Sequence, residues 1–174
     1  VKIRVYNKKS NLPDKPLKRL LLIAYNLNLI EPEDYPTLVT ISKGGRTVIS
    51  FAHNCRWVAR WVLSKKRSNK DGTDKKGHVF CNGWVEMKPR KYHWKSPQEN
   101  VTIFFDTILH EFGHIRQYQL GENFKDKNRK WRNRPGEIDA QNRVAACKAR
   151  IKYKPKLQTE IEQLIEELAK YWND

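Results

Sequence analysis

A chain of 174 residues has room for one domain with a buried core and is too short for two of ordinary size. Its net charge of +16 attracts polyanions, yet six Trp and abundant aliphatic residues exclude a disordered basic polypeptide. The three cysteines, Cys55, Cys81 and Cys147, form no CxxC pair, which argues against a disulfide framework and a Cys-based zinc ribbon and favours a reducing, cytoplasmic setting.

In chain order, Lys15 to Leu29 reads as a helix. Pro16 suits its first turn, and Leu17, Leu20, Leu21, Ala24 and Leu27 or Asn28 share a face. Leu20 to Leu29 is the most apolar stretch, but it is short and carries Asn26 and Asn28, so no membrane span is expected. Thr37 to Ser42 has strand character, and Gly44-Gly45 suggests a turn into a hairpin partner at Thr47 to Phe51. Cys55 to Leu63 fits a short helix or a strand, and the lysine-rich stretch from Ser64 to Gly77 an exposed loop. His78 to Lys88 reads as a strand ended by Pro89. A long helical pattern then runs from Asn100 to Leu120, with Gly121 as its stop. Pro135-Gly136 opens a helix from about Glu137 to Tyr153, and Leu157 to Trp172 is an amphipathic acidic helix.

His110-Glu-Phe-Gly-His114 within the long helix carries the chemistry. Residues four apart on a helix lie one turn above another, so both imidazoles can reach one ion. Glu111 sits about 100° around the helix, where a general base for a metal-activated water is needed. With 5 His and 11 Glu in the chain, chance supplies such a match about once in a hundred sequences. No His follows His114, which turns the site toward a carboxylate as the third protein ligand downstream. Glu137, at the start of the next helix, is the leading candidate, although an acid there also suits the helix macrodipole. Asp139 is the alternative ligand, or an acceptor that orients a ligand His. The oxyanion donor stays open among Tyr118, His93, Tyr92, Arg143 and Tyr153.

These residues resemble a gluzincin-type zinc metallopeptidase. His110 to His114 followed by Glu137-Ile-Asp-Ala-Gln-Asn142 is similar to the ImmA/IrrE-like peptidases, with Ala140 matching, Gln141 standing where Asn is usual and Asn142 one place late. Gly83 to Pro89 followed by Thr107 to Glu111 resembles the SprT-like group more distantly, because that group closes its site with a third His. The resemblance covers about residues 80–145. It implies an α+β, zincin-like fold in a single domain over residues 1–174. A small mixed or antiparallel sheet would pack on the HExxH helix and a second ligand helix, with the acidic helix 157–172 at the C-terminal end. It implies one catalytic Zn2+ held by His110, His114 and Glu137, with Glu111 as the base in peptide hydrolysis.

The charge is uneven. Residues 157–174 hold one Lys against five acids, and the other 156 hold 34 Lys and Arg against 14 acids. Lys88, Arg90, Lys91 and Trp94, then Lys125, Lys127, Arg129, Lys130 and Trp131, interleave cations with rings that stack on bases. They suggest DNA or RNA as a partner beside a protein substrate. The competing reading is a nucleic-acid-binding protein whose zinc site is structural or vestigial.

Overall fold

A computed structural model describes residues 3–7, 10–31, 37–41, 83–87, 89, 91–120 and 130–172. They are mostly helical, and the chain divides into two compact units. Val1–Asn11 with Glu31–Lys91 makes the first, and Leu12–Ile30 with Tyr92–Asp174 makes the second. Among the described residues no helix is long and apolar enough to cross a membrane.

The first unit contains a sheet of three short strands, β1 (Ile3–Tyr6), β2 (Thr37–Ile41) and β3 (Gly83–Met87), in the order β1-β2-β3. Both pairings are parallel, with Ile3 opposite Thr37 and Thr37 opposite Gly83. This corrects the expectation of mixed or antiparallel pairing for the described strands. Both neighbours of β2 among the described residues are parallel. Parallel strands need connections of a dozen residues or more, and residues 7–36 and 42–82 supply them. Thr47 to Phe51, Cys55 to Leu63 and Ser64 to Gly77, with the elements expected there, lie outside the described residues, and β3 is described only from Gly83 of the longer stretch expected. β1 lies where no element was expected.

The second unit is built from four helices, α1 (Asp14–Leu27), α2 (Pro97–Gln119), α3 (Pro135–Lys152) and α4 (Pro155–Ala169), with a 3-10 turn at Trp131–Asn133. α1 buries Leu17, Leu20, Leu21, Ala24 and Leu27, the face that the spacing implies. α2 contributes Val101, Phe104, Phe105, Ile108, Leu109, Phe112 and Ile115, all buried. Phe112 meets Tyr25 edge-on at 6.3 Å between ring centroids, and Phe104 meets Trp172 at 5.2 Å. α2 begins three residues earlier than its apolar pattern suggests. Ser96 and Glu99 form a reciprocal cap, with the Ser96 N–H donating to Glu99 Oε2 at 2.7 Å and the Glu99 N–H to Ser96 Oγ at 3.2 Å. Proline opens both α3 and α4, where a missing N–H costs no helical bond.

The end of α1 is tied to the helices that carry the site. Asn28 Nδ2 donates to the carbonyls of Ala24 and Leu109, at 3.0 and 3.1 Å. Cys147 and Arg150 of α3 both donate to the Leu27 carbonyl, so an acceptor that the helix end would leave open is satisfied. The turn that ends α1 pairs Leu29 N–H with Asn26 O and Ile30 N–H with Tyr25 O, the pattern that places a left-handed residue just past a helix. Leu29 occupies that position at φ 56° and is 55% exposed. A left-handed backbone costs a side-chain-bearing residue roughly 1–2 kcal/mol, partly offset by the extra freedom glycine has when unfolded. Leu29→Gly is therefore expected to raise the urea midpoint, for a gain of about 0.5–1 kcal/mol.

Candidate metal centre

α2 and α3 meet through their smallest side chains. A Cβ built on Gly113 would lie 3.5 Å from Arg143 Cδ, 3.6 Å from Ala140 Cα and 3.7 Å from Ala140 Cβ. That close approach brings the first turn of α3 to the level of the two histidines. His110 Nε2 lies 3.0 Å and His114 Nε2 3.4 Å from the same oxygen, Glu137 Oε2. The two rings stand edge to face at 4.9 Å. One donor atom from each of the three residues falls within a 4.8 Å cluster, and the group can hold a metal ion. Donors about 2.0–2.1 Å from a tetrahedral zinc lie about 3.4 Å from one another. The two measured separations are within a few tenths of an ångström of that value.

Electrostatics divides the two carboxylates. Burial pushes Glu137 up, but hydrogen bonds from His110 and His114 together outweigh it and hold the carboxyl at about 2. Glu111 is pushed well above the ordinary 4.5, first by burial and then by the negative charge of Glu137. It is 2% exposed, and its Oε2 is buried with no hydrogen-bond partner among the described residues. It lies on the stripe of Phe104, Ile108 and Ile115, all buried, so helical periodicity alone calls for an apolar residue there. Burial also works against a charged His114, yet hydrogen bonds to Glu137 and Gln117 raise it above 6.5. An unpartnered buried carboxylate oxygen one residue from a His2Glu donor set suits a cation centre with an adjacent base.

The remaining candidates fall elsewhere. Asp139 is not among the converging donors. Its Oδ2 accepts from Gln117 Nε2 at 2.8 Å and from Arg143 Nε at 2.7 Å. Arg143 is thereby engaged with Asp139 on its own helix. Tyr92 and His93 belong to the turn before α2, where Asn100 binds both the N–H and the carbonyl of Tyr92. Asn100 precedes His110 by ten residues, about 15 Å of helix, so that turn is remote from the centre. Tyr153 follows Glu137 by sixteen residues, about 24 Å along α3, and is 84% exposed. The side chains of Tyr118 and Trp131 lie outside the described residues, as do Lys88, Arg90, Lys125, Lys127 and Arg129. Lys91 and Lys130 are exposed, and Trp94 is 75% exposed against Tyr92. Sequence reasoning missed Gln117, which joins His114 to α3. Its position three residues after His114 is the signal that could have found it.

No protein-family model, curated protein or solved structure matches the chain. The functional reading therefore rests on the motif and its geometry. The helix contact supplies a first test. Gly113→Ala should fold with unchanged zinc uptake and gain up to about 1 kcal/mol in helix propensity. Gly113→Leu should lose about 1–3 kcal/mol by overpacking and lose the metal with it, as read by denaturation and zinc content.

Proposed function

We propose that this chain is a zinc-dependent metalloendopeptidase of the gluzincin type, with a zincin-like fold akin to that of ImmA/IrrE-like peptidases. The observation that carries the reading is the buried carboxyl of Glu111, whose Oε2 has no hydrogen-bond partner among the described residues, beside the convergent His110, His114 and Glu137. His110 and His114 would hold the ion through Nε2 and Glu137 through Oε2, leaving one position for water or substrate. Zinc in such a site polarises a scissile carbonyl and acidifies water. Glu111 accepts the proton of the attacking water and returns it to the leaving amine. Its burial supports that role, since a carboxylate of ordinary pKa is too weak a base near neutrality.

Two substitutions test this. Glu111→Gln should retain zinc near one ion per chain and lose roughly 10²–10⁴-fold in hydrolysis of a proteome-derived peptide library. Full activity in that variant would refute the base assignment. Glu137→Ala should lose zinc, and preserved stoichiometry there would remove the carboxylate ligand and the gluzincin reading.

Action on proteins held at nucleic acid is part of the proposal. It is supported by the charge of +16 and by Trp94, exposed on a turn that Asn100 braces through Tyr92 and Lys95. A ring held in place over solvent can stack on an unpaired base. Trp94→Ala should weaken binding of a single-stranded DNA oligonucleotide roughly 10-fold at fixed salt, measured by fluorescence anisotropy. Wild-type protein that binds the oligonucleotide and zinc but hydrolyses no peptide would support the competing reading, in which zinc is structural.

A further inference from the structure

Gln117 is 5% exposed and lies between the two helices of the centre. Its Nε2 faces the Gly136 carbonyl at 2.8 Å and Asp139 Oδ2 at 2.8 Å. Both partners are acceptors, so the amide nitrogen must stand there and the orientation of the side chain is fixed. Oε1 is then left facing His114 Nδ1 at 2.9 Å. A carbonyl oxygen only accepts, so Nδ1 must carry the proton. In a charged ring Nε2 donates as well, toward Glu137 Oε2 at 3.4 Å; in a neutral ring that keeps its proton on Nδ1, Nε2 becomes the acceptor nitrogen that a cation between it and Glu137 would use. Arg143 completes the chain by donating to the Asp139 oxygen that Gln117 uses, at 2.7 Å.

We infer that Gln117, oriented by Gly136 and Asp139, is a positioning residue that sets the His114 tautomer and so prepares Nε2 as a metal donor. The inference rests on the metal reading above and adds the residue that fixes one ligand's protonation pattern. Two acceptors compete for the single proton of neutral His114, Gln117 Oε1 at Nδ1 and Glu137 Oε2 at Nε2. Without Gln117 the second wins, and the proton sits on the nitrogen that must bind the ion. Asp139 thus reaches the site through Gln117 as well as through its charge near His114. The same amide ties α2 to the turn immediately before Glu137, so it also fixes the distance between His114 and Glu137.

The test begins on the metal-free wild type. Two-bond 1H–15N correlation spectra at alkaline pH, with the rings neutral, should show His114 with its proton on Nδ1. A predominant Nε2–H form would overturn the proposal without any variant being needed. Gln117→Met keeps length and volume while removing both hydrogen-bonding functions. It should shift His114 toward the Nε2–H form and raise the zinc dissociation constant roughly 10–100-fold in chelator competition. A purely structural role for Gln117 would lower stability and leave the tautomer in place. Zinc affinity and tautomer both unchanged in Gln117→Met would overturn the proposal. Wild-type protein that shows the Nδ1–H form but takes up no zinc would refute the metal reading and leave the tautomer assignment standing.

Discussion

The chemistry available to this chain depends on how closely α3 approaches α2. At Gly113 and Ala140 the two helices come near enough for a side chain in the first turn of α3 to reach both imidazoles. His110, Gly113, His114 and Gln117 lie at the spacing that makes one helical face, and each has its own use there. The histidines meet Glu137, Gly113 admits Ala140, and Gln117 binds the Gly136 carbonyl. The other side of α2 is anchored by Phe104, Ile108 and Phe112 in the core. One helix therefore serves as both the wall of the core and the floor of the site.

That double use explains how two glutamates twenty-six positions apart behave so differently. Glu137 is half-buried among groups that donate to it, and it stays ionised far below neutrality. Glu111 occupies a position that the core would fill with an apolar side chain, and burial raises it. A fixed anion and a carboxyl of raised pKa are thus obtained from one residue type by environment alone. The division depends on backbone placement. Moving α3 outward would weaken the hydrogen bonds that lower Glu137 and the repulsion that helps to raise Glu111.

Local information was legible in the sequence, and long-range pairing was not. His110, Glu111 and His114 could be grouped because their geometry follows from helical spacing alone. Glu137 could be reached because Pro135-Gly136 announces a helix start, and a start after a reversing loop can return to the preceding helix. The Ser96 cap is equally local, an S-x-x-E pattern that lies just ahead of the apolar periodicity. Gln117 reads in isolation as one more polar helical residue. Its role appears only when Gly136 and Asp139 are placed opposite it. The parallel sheet was hidden for a related reason. Its pairing joins residues dozens of positions apart, whereas Gly44-Gly45 advertised a local hairpin.

Buried polar atoms without partners separate structural irregularities from a site. Asn28 Oδ1, Asp106 Oδ1 and Glu111 Oε2 are all buried and unpartnered among the described residues. In the first two cases the rest of the side chain is engaged. Asn28 Nδ2 donates to two helix carbonyls, and Asp106 Oδ2 accepts from Lys148 at 2.7 Å. Each of those residues makes a bond between helices that offsets one idle lone pair. Glu111 makes no comparable bond among the described residues, and desolvation of a carboxyl costs more than that of an amide. A core that served stability alone would place Leu or Ile at this point of the stripe. A lone uncompensated carboxyl, beside three donors gathered within 4.8 Å, is the kind of local cost that persists where a site requires it.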